Sequence, residues 1–462
     1  MTKINFENLG NICKGSVELN NLTIFTGDNN TGKTYATYGV YSLLDKDFRY
    51  HLKEINPIVD DLYKDGLYNL DLKDFFDTNY KKIKKEIEVS FSNSLSNVFS
   101  ANEDEFKKSK ITFDLDISVI KDKLLKLEHK STLTIGKKDN IIFELNKESG
   151  NTILKLVLLE TEAPKNIIAE NLKNVLSHFI FDRLFSKSFL LPAERTGLNL
   201  FYQELSSERT AMFHHIGKAQ INKMELIKDL IVSRYPQPIA DYIDFLNNIN
   251  VLKKSSSDFK DLSLVIQKEI LKGKYKVEKD GIYFMPYKTY ANKDNFNEKI
   301  SLHLTSSTIK TFFSLVFYLE HLANEGETLI VDEPELNLHP ENQRKIARIL
   351  SMIANRGVKV IVSTHSDYFI REVNNLIMLK NDFKSKNSIL EKYKEYNKNM
   401  FISGNEVSAY LFCNNRIEEM EIDEQEGIIA KTFDNVINDL NSVSDDIYYT
   451  KQTDLADDTA SN

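Results

Sequence analysis

The stretch FTGDNNTGKTY, Phe25–Tyr35, limits what this chain can fold into more than any other part of it. Gly27, Gly32, Lys33 and Thr34 match the pattern of glycine, four residues, glycine, lysine and a hydroxyl residue. Apolar Leu22–Phe25 leads into the loop as a strand, and TYATYGVYSLLD leaves it with helical spacing and no internal proline. Glycines there let consecutive N–H groups turn inward onto phosphate oxygens, and the helix adds its positive N-terminal end. Lys33 would reach the β- and γ-phosphates and the Thr34 hydroxyl would sit on magnesium. The flanks outweigh a chance glycine turn, so the stretch predicts a site for ATP or GTP with Mg2+. Its contacts would come from Gly27, Asp28, Asn29, Asn30, Thr31, Gly32, Lys33, Thr34 and Tyr35.

A phosphate loop alone does not say what kind of nucleotide protein this is. In TLIVDEPELNLHP an apolar strand delivers Asp332 and Glu333 to its C-terminal end, where open α/β sheets bind ligands. Asp332 would hold the metal together with Thr34, and Glu333 would polarise the water that attacks the γ-phosphate. The plainer alternative, two solvated carboxylates in a turn, loses weight beside the upstream loop. One strand further on, VKVIVSTH ends at His365, where a neutral imidazole can hydrogen-bond the γ-phosphate or the water. A structural histidine at a strand end is the alternative there.

Apolar strand, acidic loop, amphipathic helix and apolar strand is the rhythm of a parallel α/β sheet. The sequence divides into an N-terminal lobe with the loop (1–47), an α+β insertion (48–168), a segment around LPAERTG (169–200), a helical insertion (201–270), a C-terminal lobe (271–373) and an extension with an acidic tail read as disordered (374–462). In the first insertion KITFDLDISV and STLTIGKKDNIIFEL read as strands. SRYPQPIADYIDFLNNI reads as the clearest helix of the second. In SLHLTSSTIKTFFSLVFYLEHLA, apolar residues cover most of the helix circumference, which predicts burial.

With 41% hydrophobic and 28% charged residues the composition is that of a globular protein. No run of eighteen apolar residues and no early apolar segment suggests a membrane span or a secretion signal. Cys13 and Cys413 lie far apart without metal-ligand spacing, which fits a reducing cytoplasm. A net charge of −8 does not advertise nucleic-acid binding, although a local basic face can coexist with it.

GDNNTGKT, LIVDEPELNLHP and STHS together resemble the ABC-type ATPases related to SMC and RecF, and within them the AAA15 or OLD-like branch. The long gap between Lys33 and Asp332 fits that family, which places large insertions between the halves of its sheet. The resemblance implies an α/β fold: an ABC-type P-loop ATPase core with a mixed or parallel sheet, plus α+β and helical insertions. It also implies that LTSSTIK stands in the place of the signature motif, with Ser306 and Ser307 contacting the γ-phosphate held by a second copy of the chain. Thr308 stands where the family keeps glycine, and ordinary capping of a core helix is the alternative. PELNLHP resembles the loop that crosses the dimer interface, with Asn337 and His339 as candidates, against a simple turn into the helix after Pro340. LPAERTG lies near the position of the glutamine loop but holds no glutamine. Arg195 would contact phosphate or a neighbouring subunit, or pair with Glu194.

Three readings follow. The first is a cytoplasmic ATPase that forms a homodimer or higher homo-oligomer around ATP and gates a separate effector, a nuclease or toxin, as in anti-phage defence systems of this branch. The second is a RecF- or SMC-like repair ATPase that binds DNA through Lys81, Lys82, Lys84 and Lys85 and through Lys107, Lys108 and Lys110. Such runs are more often solvated helix faces. The third, an OLD-like nuclease acting in cis, needs a metal-binding Toprim domain, for which the residues after His365 offer no apolar strand ending in a spaced D-x-D.

Overall fold

The computed structural model describes residues 2–45, 52–114, 117–134, 140–181, 187–216, 235–287, 299–429 and 439–451. Residues 452–462, most of the tail read as disordered, lie outside the described residues.

Nine strands form the central sheet: β1 (Thr2–Leu9), β2 (Ile12–Leu19), β3 (Leu22–Gly27), β4 (Lys110–Asp114), β5 (Ser188–Leu191), β6 (Thr328–Asp332), β7 (Lys359–Ser363), β8 (Val407–Cys413) and β9 (Arg416–Glu419). Their order is β4-β1-β2-β9-β8-β3-β7-β6-β5. The half from β8 to β5 is parallel, while β1 pairs antiparallel with both β2 and β4, so the sheet is mixed. The parallel strands read as continuous apolar runs because both of their faces are covered. Side chains alternate between two cores: Leu22, Ile24, Leu329, Val331, Val360 and Val362 enter one, and Phe25, Ile330 and Ile361 the other.

Six helices matter for the site: α1 (Lys33–Leu44), α2 (Arg195–Ile216), α3 (Gln237–Leu252), α4 (Ser307–His321), α5 (Pro340–Asn355) and α6 (Asp367–Met378). Ten of the twelve α1 residues are buried, which fixes the helix that follows the phosphate loop against the sheet. In α4 every residue from Thr311 to Leu319 is buried, as its all-round apolar pattern predicts. Tyr318 stacks on Phe189 of β5 with centroids 4.7 Å apart, and Phe317 meets Phe245 of α3 edge to face at 5.6 Å.

Two segments fold differently from their sequence reading. KITFDLDISV is not one strand: Lys110–Asp114 forms β4, and Ile117–Lys126 is a helix. Ile111 and Phe113 pair with Phe6 and Ile4 of β1, whereas Ile120 and Leu124, both buried, have helical spacing. The first insertion thus lends a strand to the central sheet besides forming its own four-stranded sheet from Leu67–Asp71, Ile153–Leu158, Ile141–Lys147 and His129–Thr134. The C-terminal part, read as an extension, supplies β8 and β9. β8 runs parallel to β3 with Phe412 opposite Gly27, directly beside the phosphate loop.

Candidate nucleotide-binding site

The loop between β3 and α1 is shaped by its glycines and its neighbours. Gly27 has φ 134°, and a Cβ there would lie 2.2 Å from the Phe412 carbonyl oxygen of β8. Gly32, φ 103°, caps α1 and would put a Cβ 2.7 Å from Ile12. Only glycine permits this close, left-handed path. No side chain caps the start of α1 and no acidic residue sits in its first turn. Its first N–H groups and positive dipole end are thus open to an anion.

Lys33 is buried, and its ammonium donates to the Gly27 and Asp28 carbonyls at 2.9 and 2.7 Å. Burial lowers its pKa, while Glu333, Asp332, Asp28 and Glu335 pull it back up. Thr34 is exposed beside it. The Asn11 side chain, from the β1–β2 turn, donates to Asn30 and buttresses the loop. Tyr35 departs from its expected place: its ring packs against Gly10 and pairs with Phe99 at 5.1 Å, leaving only its backbone for a phosphate.

Strand order brings the acidic groups to the loop. Ser363 of β7 registers with Phe25 of β3 on one side and with Asp332 of β6 on the other. The Asp332 carboxylate is buried and accepts a hydrogen bond from the Ser363 hydroxyl. Burial pushes its pKa up to about 6; Ser363 and Arg195 oppose the rise, and Glu333 and Glu194 add to it. Glu333 adopts φ 47°, a left-handed conformation that costs a side-chain-bearing residue about 1–3 kcal/mol. Its carboxylate lies 3.8 Å from the His365 ring. Burial and the Lys33 charge lower the His365 pKa against the pull of Glu333 and Asp28, so the imidazole is neutral at neutral pH.

Two residues hold this arrangement in place. Arg195 is fully buried at the start of α2 and donates to the backbone carbonyls of Pro192, Asp332 and Glu333 at 2.9, 2.7 and 2.8 Å. This differs from both sequence expectations. The guanidinium is spent on three carbonyls, while Glu194 stands exposed beside it. Glu335, which sequence reasoning passed over, accepts from the Thr364 hydroxyl at 2.8 Å and the His365 N–H at 2.6 Å. It ties the turn after β6 to the end of β7. Its signal in the sequence was a further carboxylate two residues beyond Glu333. The role of Arg195 was not legible locally, because two of its three partners lie more than a hundred residues away.

The signature-like segment packs on the turn after β6. Ser306 caps α4, accepting from the Ile309 N–H at 3.4 Å; Ser307 is exposed, as is Leu304 at 71%. Thr308 donates to the Asn337 carbonyl at 3.2 Å. Asn337 is exposed with φ 59°, and His339 caps α5 through Glu341 N–H at 3.4 Å, the plainer of its two expected roles.

A family model described as AAA ATPase domain, AAA_15, matches residues 1–370. The chain belongs to this AAA ATPase domain family. No curated protein matched the sequence. Solved structures that resemble it include the Smc head domain with an extended coiled coil bound to the C-terminal domain of ScpA from Pyrococcus furiosus, 9% identical over 96% of this chain and 100% of that one, with a TM-score of 0.33. Another is the SMC head domain from Thermotoga maritima, 8% identical over 91% of this chain and 98% of that one, with a TM-score of 0.30. These are loose likenesses, and the account of the site rests on the residues of this chain. The AAA_15 match ends at residue 370, so β8, which wedges against Gly27, lies outside it.

The donor set fits ATP with Mg2+. A hard, oxygen-seeking cation suits the buried Asp332 carboxylate and the exposed Thr34 hydroxyl, and a triphosphate suits the uncapped start of α1 with Lys33.

Proposed function

We propose that the chain binds ATP with Mg2+, hydrolyses it, and pairs with a second copy around the nucleotide to control a separate effector protein. The observation that carries this is the strand order β3-β7-β6, which ends Lys33, His365 and the Asp332–Glu333 pair along one edge. Backbone N–H groups of the loop and Lys33 hold the phosphates; Thr34 and Asp332 hold the metal, which neutralises charge on the phosphate oxygens. Glu333 accepts a proton from water as that water attacks the γ-phosphate, and neutral His365 donates or accepts a hydrogen bond beside it. Lys33→Ala should abolish ATP turnover by the purified chain; unchanged turnover would defeat the site assignment.

The pairing rests on the exposure of Leu304, Ser306 and Ser307 at the start of α4, outside their own chain's loop. An uncovered helix start of this kind suits the γ-phosphate held by another copy. The effector, a nuclease or toxin in a defence operon, and the cytoplasmic setting follow from the sequence resemblance. Cutting of DNA by the purified chain with magnesium alone would remove the need for a separate effector.

A DNA-clamp reading has one observation in its favour, a groove of about 780 Å3 lined in part by Lys53, Lys82, Lys85 and Asn93. Acidic partners already answer several of the lysines: Lys53 lies 3.6 Å from Glu86, Lys82 2.8 Å from Glu54 and Lys84 2.9 Å from Asp114. We therefore place it second. Duplex binding that weakens steeply with salt would move it first.

A further inference from the structure

Past α6 the chain forms an apolar groove of about 550 Å3, whose lining includes Met378, Leu379, Phe383, Ile389, Tyr393 and Tyr396. Phe383, Ile389 and Tyr393 are 46, 37 and 40% exposed, a cluster of uncovered apolar side chains on one surface. The segment that builds it, 380–398, carries six lysines against three acidic residues, a charge of +3. The groove floor is rigid: Arg344 and Arg348 both bond the buried Glu372 carboxylate, and Arg344 also bonds the Tyr396 hydroxyl.

A second feature complements this one. Residues 439–451 form a helix whose side chains are all exposed. Leu440, Val443 and Ile447, 64, 50 and 56% exposed, recur at the spacing of one helical face, with Tyr448 at its margin. Asp445 falls on the opposite side and Asp439 and Asp446 on one flank, and with Lys451 the helix carries −2. An apolar stripe on a net-acidic helix suits an apolar groove built by a segment of net positive charge.

Connectivity favours the groove's own chain as the source. Asn374 of α6 exchanges two hydrogen bonds with Ile428, its carboxamide nitrogen donating to the Ile428 carbonyl at 3.1 Å and its oxygen accepting from the Ile428 N–H at 2.8 Å. The chain is thus pinned about one helical turn from Met378, roughly 6 Å along α6. Nine residues, 430–438, connect that anchor to the helix, a span of up to about 30 Å. A tether of this length gives an effective concentration on the order of millimolar, so even a weak contact would be occupied.

We infer that the acidic amphipathic helix 439–451 docks its Leu440–Val443–Ile447 face into the Phe383–Ile389–Tyr393 groove of its own chain. The groove ends α6, and the other end of α6 is capped by Ser366, next to His365. The docked helix therefore sits at the far end of the helix whose N-cap, Ser366, directly follows His365.

The test uses the full chain with Cys13→Ser and Cys413→Ser, adding Ile389→Cys and Val443→Cys. Mild oxidation should link the two cysteines within one chain, giving a band of monomer mass with altered mobility and one linked peptide. In the unmodified protein, amide exchange over 439–451 should be at least tenfold slower than in an Ile389→Asp, Tyr393→Asp variant. Two free thiols after oxidation, a link between two chains at dimer mass, or equal exchange in both proteins would each overturn the inference.

Discussion

The Arg195 guanidinium donates to the backbone carbonyl of Asp332 at 2.7 Å and, with its second nitrogen, to that of Glu333 at 2.8 Å. One buried side chain thus holds the backbone of Asp332 and of the strained Glu333 in one grip. Arg195→Ala would remove the guanidinium from the Asp332 carbonyl and leave the Pro192 and Glu333 carbonyls with only the Arg195 and Leu336 N–H groups, and should destabilise the fold by about 2 kcal/mol. ATP turnover should fall with it. Arg195→Lys, which lacks the planar fork, should recover only part of either loss. Urea unfolding midpoints and steady-state hydrolysis check both.

Asp332 makes the empty site costly at neutral pH. Its folded pKa, about 6, lies above the ordinary 3.8, so between about pH 4 and 6 the folded state binds more protons than the unfolded state. Stability is then lost as pH rises through that window, by roughly 2–3 kcal/mol in all. In EDTA at pH 7.5, Asp332→Asn should unfold at a higher temperature than the parent, and the gap should close towards pH 4. The same variant should lose magnesium-dependent ATP turnover. A parent protein that gains on the variant as pH rises would contradict this.

Gly27→Ala should be severely destabilising, by about 2 kcal/mol or more, because the new Cβ meets the Phe412 carbonyl at 2.2 Å with φ at 134°. Gly197→Ala is the control. That glycine lies within helix α2, and a Cβ there meets nothing within 4 Å. Thermal unfolding should show the first variant far below the parent and the second at or slightly above it.

These contrasts mark what the sequence could and could not tell. Strands β3, β6 and β7 were legible because burial on both faces leaves an uninterrupted apolar run, and the loop because its glycine spacing is a local requirement of the backbone. β8 was hardly legible. Its pairing with β3 joins residues almost four hundred positions apart, and its VSAYLFC pattern gives no hint of which strand it will meet. Separation along the chain, here 137 positions to Asp332, also hid the role of Arg195, since the carbonyls it serves exist as a group only after β5 and β6 have paired. Ile117–Val119 reads as strand because apolar alternation continues past Asp114, and only Ile120 and Leu124 beyond it show the spacing of a helix face.

Ser307 separates binding from pairing. It is exposed at the first turn of α4. Ser307→Arg should leave ATP affinity within about threefold of the parent, a change under 1 kcal/mol, while blocking any ATP-dependent assembly. Equilibrium binding of a fluorescent ATP analogue together with sedimentation would check the two halves separately.

In the proposed pairing, one chain supplies only part of the site and a second copy completes it on ATP. Glu333→Gln keeps the loop, Lys33, Thr34 and Asp332 but removes the carboxylate that takes the proton from water, so bound ATP should persist. Light scattering of this variant should give a larger mass, a dimer or higher multiple, with ATP and Mg2+ than with ADP. A mass unchanged between ATP and ADP, with ATP demonstrably bound, would contradict the account.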